Sequence, residues 1–169
     1  MTIGPVLGVD PGSMATGYGV IEQTKNGRIN VLGAGVIRTS PKRSFPDRLK
    51  HLYESLCRVI AEFSPVCAAF EQVFVARNAG AALKLGHARA ALLMAAINND
   101  LEIFEYSALE VKRAVVGYGR AEKHQVQEMV TLILGLAKPP PQDASDALAV
   151  ALCHVQSTKV QDLIKLELG

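Results

Sequence analysis

Acidic side chains are missing from one long stretch of this 169-residue chain. From Gln72 to Asn99 there is no Asp or Glu, while Arg77, Lys84, His87 and Arg89 all fall there. Cysteine is scarce: Cys57, Cys67 and Cys153 are odd in number and lack short metal-type spacing. That argues against a disulfide framework and suits a reducing cytoplasm. No stretch approaches 18 uninterrupted apolar residues, and the opening Met-Thr-Ile-Gly-Pro is not a basic segment followed by an apolar one. A soluble cytoplasmic protein without a membrane partner is expected. The net charge of +2 is too small to announce a nucleic-acid binder, so its distribution says more than its total. Lys42, Arg43, Arg48 and Lys50 form a second basic cluster, and Lys112, Arg113, Arg120 and Lys123 a third. Ordinary solvated helix faces would give the same pattern. Internal repeats are absent.

With 49% hydrophobic and 20% charged residues, the chain suits one compact α/β domain with a substantial core. That domain is expected over residues 1–157, with 158–169 as a weakly amphipathic C-terminal tail. Val6 to Val9, Thr16 to Glu22 and Ile29 to Ile37 read as a three-strand antiparallel meander. Ser44-Phe-Pro-Asp47 opens a helix that ends near Ser64-Pro65. Val66 to Glu71 is apolar until its last residue, as a central strand covered by helices should be. An Asn78-capped helix to about Asn99 and a strand from Leu101 to Tyr106 follow. Ser107 and Glu110 make a capping box for a helix to about Val116. A further helix runs from about Glu122 to Leu134, and Pro139-Pro-Pro141 precedes a last helix starting near Asp143. The sum is a mixed five-stranded sheet flanked by helices.

Four acids stand out against this apolar pattern: Asp10 in Val-Asp-Pro-Gly-Ser, Glu71 closing a strand, and Asp143 with Asp146 opening a helix. If the first and fourth strands lie side by side and parallel, Asp10 and Glu71 emerge together at their carboxyl ends, where open α/β sheets place ligands. Asp143 and Asp146, at i and i+3, share a helical face. Carboxylates crowded at buried strand ends call for a cation. Mg²⁺ is the natural candidate, and four acids balance about two such ions, as in a two-metal phosphodiester hydrolase. Each acid alone has a plainer explanation. Asp10 suits a turn, Glu71 an exposed strand end, and Asp143 with Asp146 a helix N-terminus that favours carboxylates anyway.

The motifs Asp10-Pro-Gly-Ser, Thr16-Gly-Tyr-Gly-Val20, Phe70-Glu-Gln-Val-Phe74, Ala81-Ala-Leu-Lys-Leu-Gly86, Val115-Val-Gly117 and Asp143-Ala-Ser-Asp-Ala-Leu148 occur in order. Together, from about Val6 to His154, they resemble a RuvC-type Holliday junction resolvase, a ribonuclease H-like nuclease. The resemblance implies a structure-specific DNA endonuclease that makes paired symmetric nicks in homologous recombination and DNA repair, leaving 5′-phosphate and 3′-hydroxyl ends. It implies Asp10, Glu71, Asp143 and Asp146 as the metal-binding catalytic quartet for Mg²⁺ or Mn²⁺, although some members carry His at the position of Asp143. Lys112 and Lys123 match lysines that hold the scissile phosphate, and Phe74 an aromatic that meets bases at the junction centre. Arg77, Lys84, Arg89 and Arg120 are candidate phosphate contacts. A four-way DNA junction and the RuvA and RuvB branch-migration machinery are the implied partners.

One residue-level clue points to a second copy. After Arg89, the helix from Asn78 is apolar nearly all round, which requires cover on both sides. The sheet can cover one side and a partner protomer the other, the alternative being a helix buried wholly within its own monomer, and a two-fold homodimer matches two symmetric cuts. Three rivals differ in class. An actin-like or sugar-kinase ATP-binding domain would need a duplicated half that this chain lacks. A non-catalytic junction binder would tolerate Asn within the quartet. A third is another ribonuclease H-like nuclease acting on RNA hybrids, against which the Phe74 loop and the apolar helix favour a junction.

Overall fold

The computed structural model describes residues 3–73 and 78–168, with side chains described from 4 to 159 within those ranges. Five strands form one sheet in the order β3-β2-β1-β4-β5. They are β1 (Ile3–Asp10), β2 (Ala15–Gln23), β3 (Ile29–Arg38), β4 (Cys67–Glu71) and β5 (Glu102–Tyr106). β1 pairs antiparallel with β2 and β2 with β3, which is the expected meander. β1 pairs parallel with β4, and β4 with β5. The expected mixed sheet and the parallel neighbours β1 and β4 are therefore both present.

Alternation along the two central strands feeds two cores. Val6, Cys67 and Ala69 meet α3 (Ala108–Val116), α4 (Lys123–Ile133) and α5 (Gln142–Leu168) on one face. Leu7, Val9, Ala68 and Phe70 meet α1 (Phe45–Phe63) and α2 (Ala79–Ile97) on the other. Strands covered on both faces read as continuous apolar runs, the pattern β4 showed in sequence. Phe70 is fully buried. Phe70→Ala is expected to cost about 3–5 kcal/mol of stability, measured by urea unfolding, through lost burial and the cavity left behind.

The helix ends follow their local signals. Ser44 Oγ accepts the Asp47 amide of α1, Asn78 Oδ1 accepts the Ala81 amide of α2, and Ser107 and Glu110 form a reciprocal capping box on α3. The last helix, α5, runs on through residues 158–168 without a break.

α5 is the spine of its core. From Ala144 to Val155 every residue except Asp146 is buried. Such a helix can be enclosed only if the sheet lets its backbone in. A Cβ at Gly8 would lie 2.1 Å from the Ala147 carbonyl oxygen, and one at Gly17 would lie 1.8 Å from that of Asp143. Glycine at these two strand positions lets α5 rest directly on β1 and β2.

Candidate active site

The strand register sets out the site. Val9 lies opposite Phe70 across the parallel pair, so the next residues, Asp10 and Glu71, leave the sheet side by side. Asp10 follows Val6 and Gly8 on the face that meets α5, and Glu71 follows Cys67 and Ala69 on the same face. Across the antiparallel pair, Asp10 lies opposite Gly17. Gly17 in turn sits beneath the Asp143 carbonyl, which brings the first turn of α5 over the end of β1.

Ligand-type oxygens of Asp10, Asp143 and Asp146 accordingly lie within 4.8 Å of one another. Glu71 joins them along a cavity of about 310 Å³ that Asp10, Glu71, Lys112, Lys123 and Asp146 all line. Gln142 donates its side-chain amide to Asp146 Oδ1 at 2.9 Å, and Lys123 Nζ stands 3.9 Å from Asp146 Oδ2. Four of the expected residues thus share the cavity walls with Asp10, while Asp143 meets the group at the helix end.

The electrostatics are those of crowded, half-buried acids. Burial first, then the charges of Glu71, Asp146 and Asp143, push Asp10 up from 3.8 to about 8, against the pull of Lys123. Glu71 is also raised, mainly by burial and then by Asp146, while Lys123, a hydrogen bond shared with Asp10, and Lys112 work the other way. Burial likewise raises Asp146, opposed by the Gln142 hydrogen bond and Lys123. Two lysines do not neutralise four acids. The donor set is all carboxylate oxygen, which fits a hard divalent cation.

The other predicted residues divide. Lys112, half-buried on α3, and Lys123, exposed at the start of α4, reach the cavity. Lys84 and Arg120 are exposed and outside its lining. Arg89 is half-buried and forms an ion pair with Glu105 on β5, which occupies the guanidinium. Phe74 and Arg77 lie outside the described residues. Arg48, grouped with surface cations in the sequence, is buried at 9% exposure. Sequence reasoning missed Gln142 and the structural part of Gly17. The Gln142 contact is an i,i+4 pair visible in the sequence, and a glycine inside a strand signals close backbone approach.

A cleft of carboxylates that favours a hard cation and is bordered by lysines suits phosphodiester hydrolysis, and on this sheet it defines a ribonuclease H-like nuclease. The family described as crossover junction endodeoxyribonuclease RuvC matches residues 6–154. Proteins of that description from Syntrophotalea carbinolica and Haemophilus influenzae are 50% and 53% identical over 94% and 90% of this chain, covering 98% and 79% of their own lengths. The chain belongs to the RuvC family. RuvC from Thermus thermophilus superposes with a TM-score of 0.83 at 34% identity, covering 93% of this chain and 96% of that one. The same protein in complex with a Holliday junction substrate gives 0.84 at 31% identity over 92% and 96%. The yeast mitochondrial resolvase Ydc2, only 14% identical, shares the fold at a TM-score of 0.68 over 97% of this chain and 84% of its own.

Proposed function

We propose that this chain is a structure-specific endonuclease that resolves four-way DNA junctions by paired symmetric nicks, in homologous recombination and DNA repair. The convergence of Asp10, Asp143 and Asp146 within 4.8 Å, beside Glu71, in a member of the RuvC family carries the reading. The quartet would hold Mg²⁺, or Mn²⁺ in its place, and its charge matches about two ions. Bound ions supply acidity to the attacking water and positive charge to the departing 3′ oxygen.

The chain's own residues complete the chemistry. Burial around Asp10 and Asp146 lowers the local dielectric, which strengthens every charge interaction there. Lys112 and Lys123, on separate helices across the cavity, hold the scissile phosphate and offset its developing charge. Lys84 and Arg120, and Arg89 beside Glu105, are the phosphate contacts outside the cavity. Phe74 stacks on bases at the junction centre and Arg77 meets the backbone beside it.

Two cuts require two sites. Ala88, Leu92, Ala95 and Ala96 of α2 face the core, whereas Leu83, Met94 and Ile97 are exposed. By length and composition α2 could also cross a membrane, but its basic Lys84, His87 and Arg89 and its buried face on the sheet favour a protein cover. A homodimer through this face fits an isologous interface. Ile97→Asp is expected to shift the chain to monomer in analytical ultracentrifugation while leaving its circular dichroism unchanged. Family resemblance supports RuvA and RuvB as partners and the cytoplasm as location.

The test is cleavage of a synthetic mobile four-way junction beside a linear duplex of the same sequence, in Mg²⁺ and in chelator, by wild type and Asp146→Asn. Paired, metal-dependent nicks confined to the junction and lost in the variant are expected. Equal cutting of the duplex would keep the nuclease and remove the junction specificity. Binding without nicks under Mg²⁺ and Mn²⁺ would leave a non-catalytic junction protein.

A further inference from the structure

Asp10 is the last residue of β1, so the backbone that follows it is the soft side of its anchorage. That backbone is the turn from Pro11 to Ala15, and it is tied down from three directions. Thr16 Oγ1 accepts the Gly12 amide at 3.2 Å and donates to the Gly12 carbonyl at 2.9 Å. Thr39, just past β3, donates its hydroxyl to the Ser13 carbonyl at 3.1 Å and its amide to the Met14 carbonyl at 2.9 Å. Arg48 of α1 reaches in from the far layer. Its Nη2 donates to the Ser13 carbonyl at 2.6 Å and its Nε donates to Thr39 Oγ1 at 3.3 Å.

Arg48 is not placed to receive DNA. It is 9% exposed, and the Phe45 ring lies 5.5 Å from the guanidinium carbon. A buried arginine must be paired, and here the partners are the Ser13 carbonyl, the Thr39 hydroxyl and the Met14 sulfur, which Nη2 reaches at 2.8 Å, rather than a carboxylate. Its fixed fork spans two segments, Ser13 and Thr39, that are distant in sequence, a geometry lysine cannot copy in full. The positive charge strengthens both hydrogen bonds.

We infer that Arg48, acting with Thr39, is a positioning residue for cleavage: it clamps the turn after Asp10, so that the Asp10 carboxylate keeps its place beside Asp143 and Asp146. This rests on the nuclease reading above. Oxygens of Asp10, Asp143 and Asp146 lie within 4.8 Å of one another, so a small shift of the turn would open the group. β1 is paired with β2 up to Asp10 and with β4 up to Val9, so the backbone that can shift this carboxylate is the turn that follows.

Arg48→Met, Arg48→Lys and Thr39→Val, each as the full-length chain, test this with three readouts: single-turnover junction cleavage, junction affinity in chelator, and amide hydrogen exchange at Ser13 to Thr16. Arg48→Met is expected to lower the cleavage rate about ten- to a hundredfold, the range for residues that orient a metal ligand. Junction affinity should stay within about twofold, as expected of a group that touches no phosphate. Exchange at the turn should accelerate while the β1 and β4 amides hold their protection. Arg48→Lys, which keeps the charge but only one donor nitrogen, should recover part of the rate. Thr39→Val, which keeps the arginine, should slow cleavage in the same direction and gives the answer if Arg48→Met does not fold. An unchanged cleavage rate in Arg48→Met, or in Thr39→Val where the first variant is unfolded, overturns the positioning role. So does weakened junction binding with an intact rate, which would make Arg48 a DNA contact. A wild-type chain that cuts no junction overturns the nuclease reading instead, a failure that the rate comparison separates from the first.

Discussion

Asp10→Asn is expected to abolish junction cleavage and, in chelator, to make the protein more stable. The first effect should reach at least about a hundredfold, beyond what is lost when a residue that merely orients a metal ligand is removed. The second follows from the crowding of the acids. Asp10 is raised from 3.8 to about 8 by burial and by Glu71, Asp146 and Asp143, so near neutral pH the native state holds a proton that the unfolded chain has released. Wherever the native state binds more protons, stability falls as pH rises. The contribution is whole below about pH 4 and is lost progressively up to about pH 8. Replacing the acid by its uncharged isostere removes both the repulsion and the pH slope it causes. A gain of about 2 kcal/mol would raise the melting midpoint by roughly 4–8 °C in a chain of this size. Thermal melts of wild type and variant between pH 5 and 8 in chelator check it. A variant less stable than wild type across that range would mean that Asp10 is held by favourable contacts rather than against repulsion.

Gly17→Ala should be nearly as damaging to cleavage without touching any acid. The added Cβ would meet the Asp143 carbonyl oxygen at 1.8 Å and the Asp143 carbonyl carbon at 2.3 Å, where real contacts essentially never fall below 3.0 Å. Backbone atoms cannot rotate out of the way as a side chain can, so the first turn of α5 must lift from β2. Asp143 and Asp146 move with it. A displacement of about 1 Å in a catalytic group typically costs about a hundredfold in rate. Cleavage should fall by at least that much, while junction binding through the basic residues of α2 to α4 persists. Cleavage within tenfold of wild type would show that α5 tolerates the lift.

Comparing the two substitutions shows what was legible in the sequence. Asp10, Glu71, Asp143 and Asp146 were visible because a charge inside an apolar run is conspicuous one residue at a time. The strands and the β1–β3 meander were legible as short β-type runs, whereas the parallel pairing of β1 with β4 entered only as a condition that the register then met. Gly17 carried only the weak signal of a glycine within a strand, since its importance lies in an atom 126 positions along the chain. Arg48 was misgrouped for a similar reason: its partner, Ser13, is 35 residues away, and nothing local separates a buried guanidinium from a solvated one. Arg89 looked like a free cation in a stretch without acids, yet Glu105, just beyond that stretch, pairs with it through the β5 strand. Spacing reports neighbours along a helix or strand and is silent about neighbours across the sheet.

The placement of Asp10 and Glu71 on β1 and β4 has a consequence for how the protein fails. Each strand is hydrogen-bonded on both sides, β1 between β2 and β4, and β4 between β1 and β5. Amides in such positions open only when the whole domain unfolds, whereas segments at the rim open at far lower free energy. The carboxylates therefore belong to the last unit to come apart, together with α5, whose buried length closes over them. Partial opening at the rim strands leaves β1 and β4 paired, so a loss of cutting in a chain that is still folded points to the turn after Asp10 or the first turn of α5 rather than to the strands.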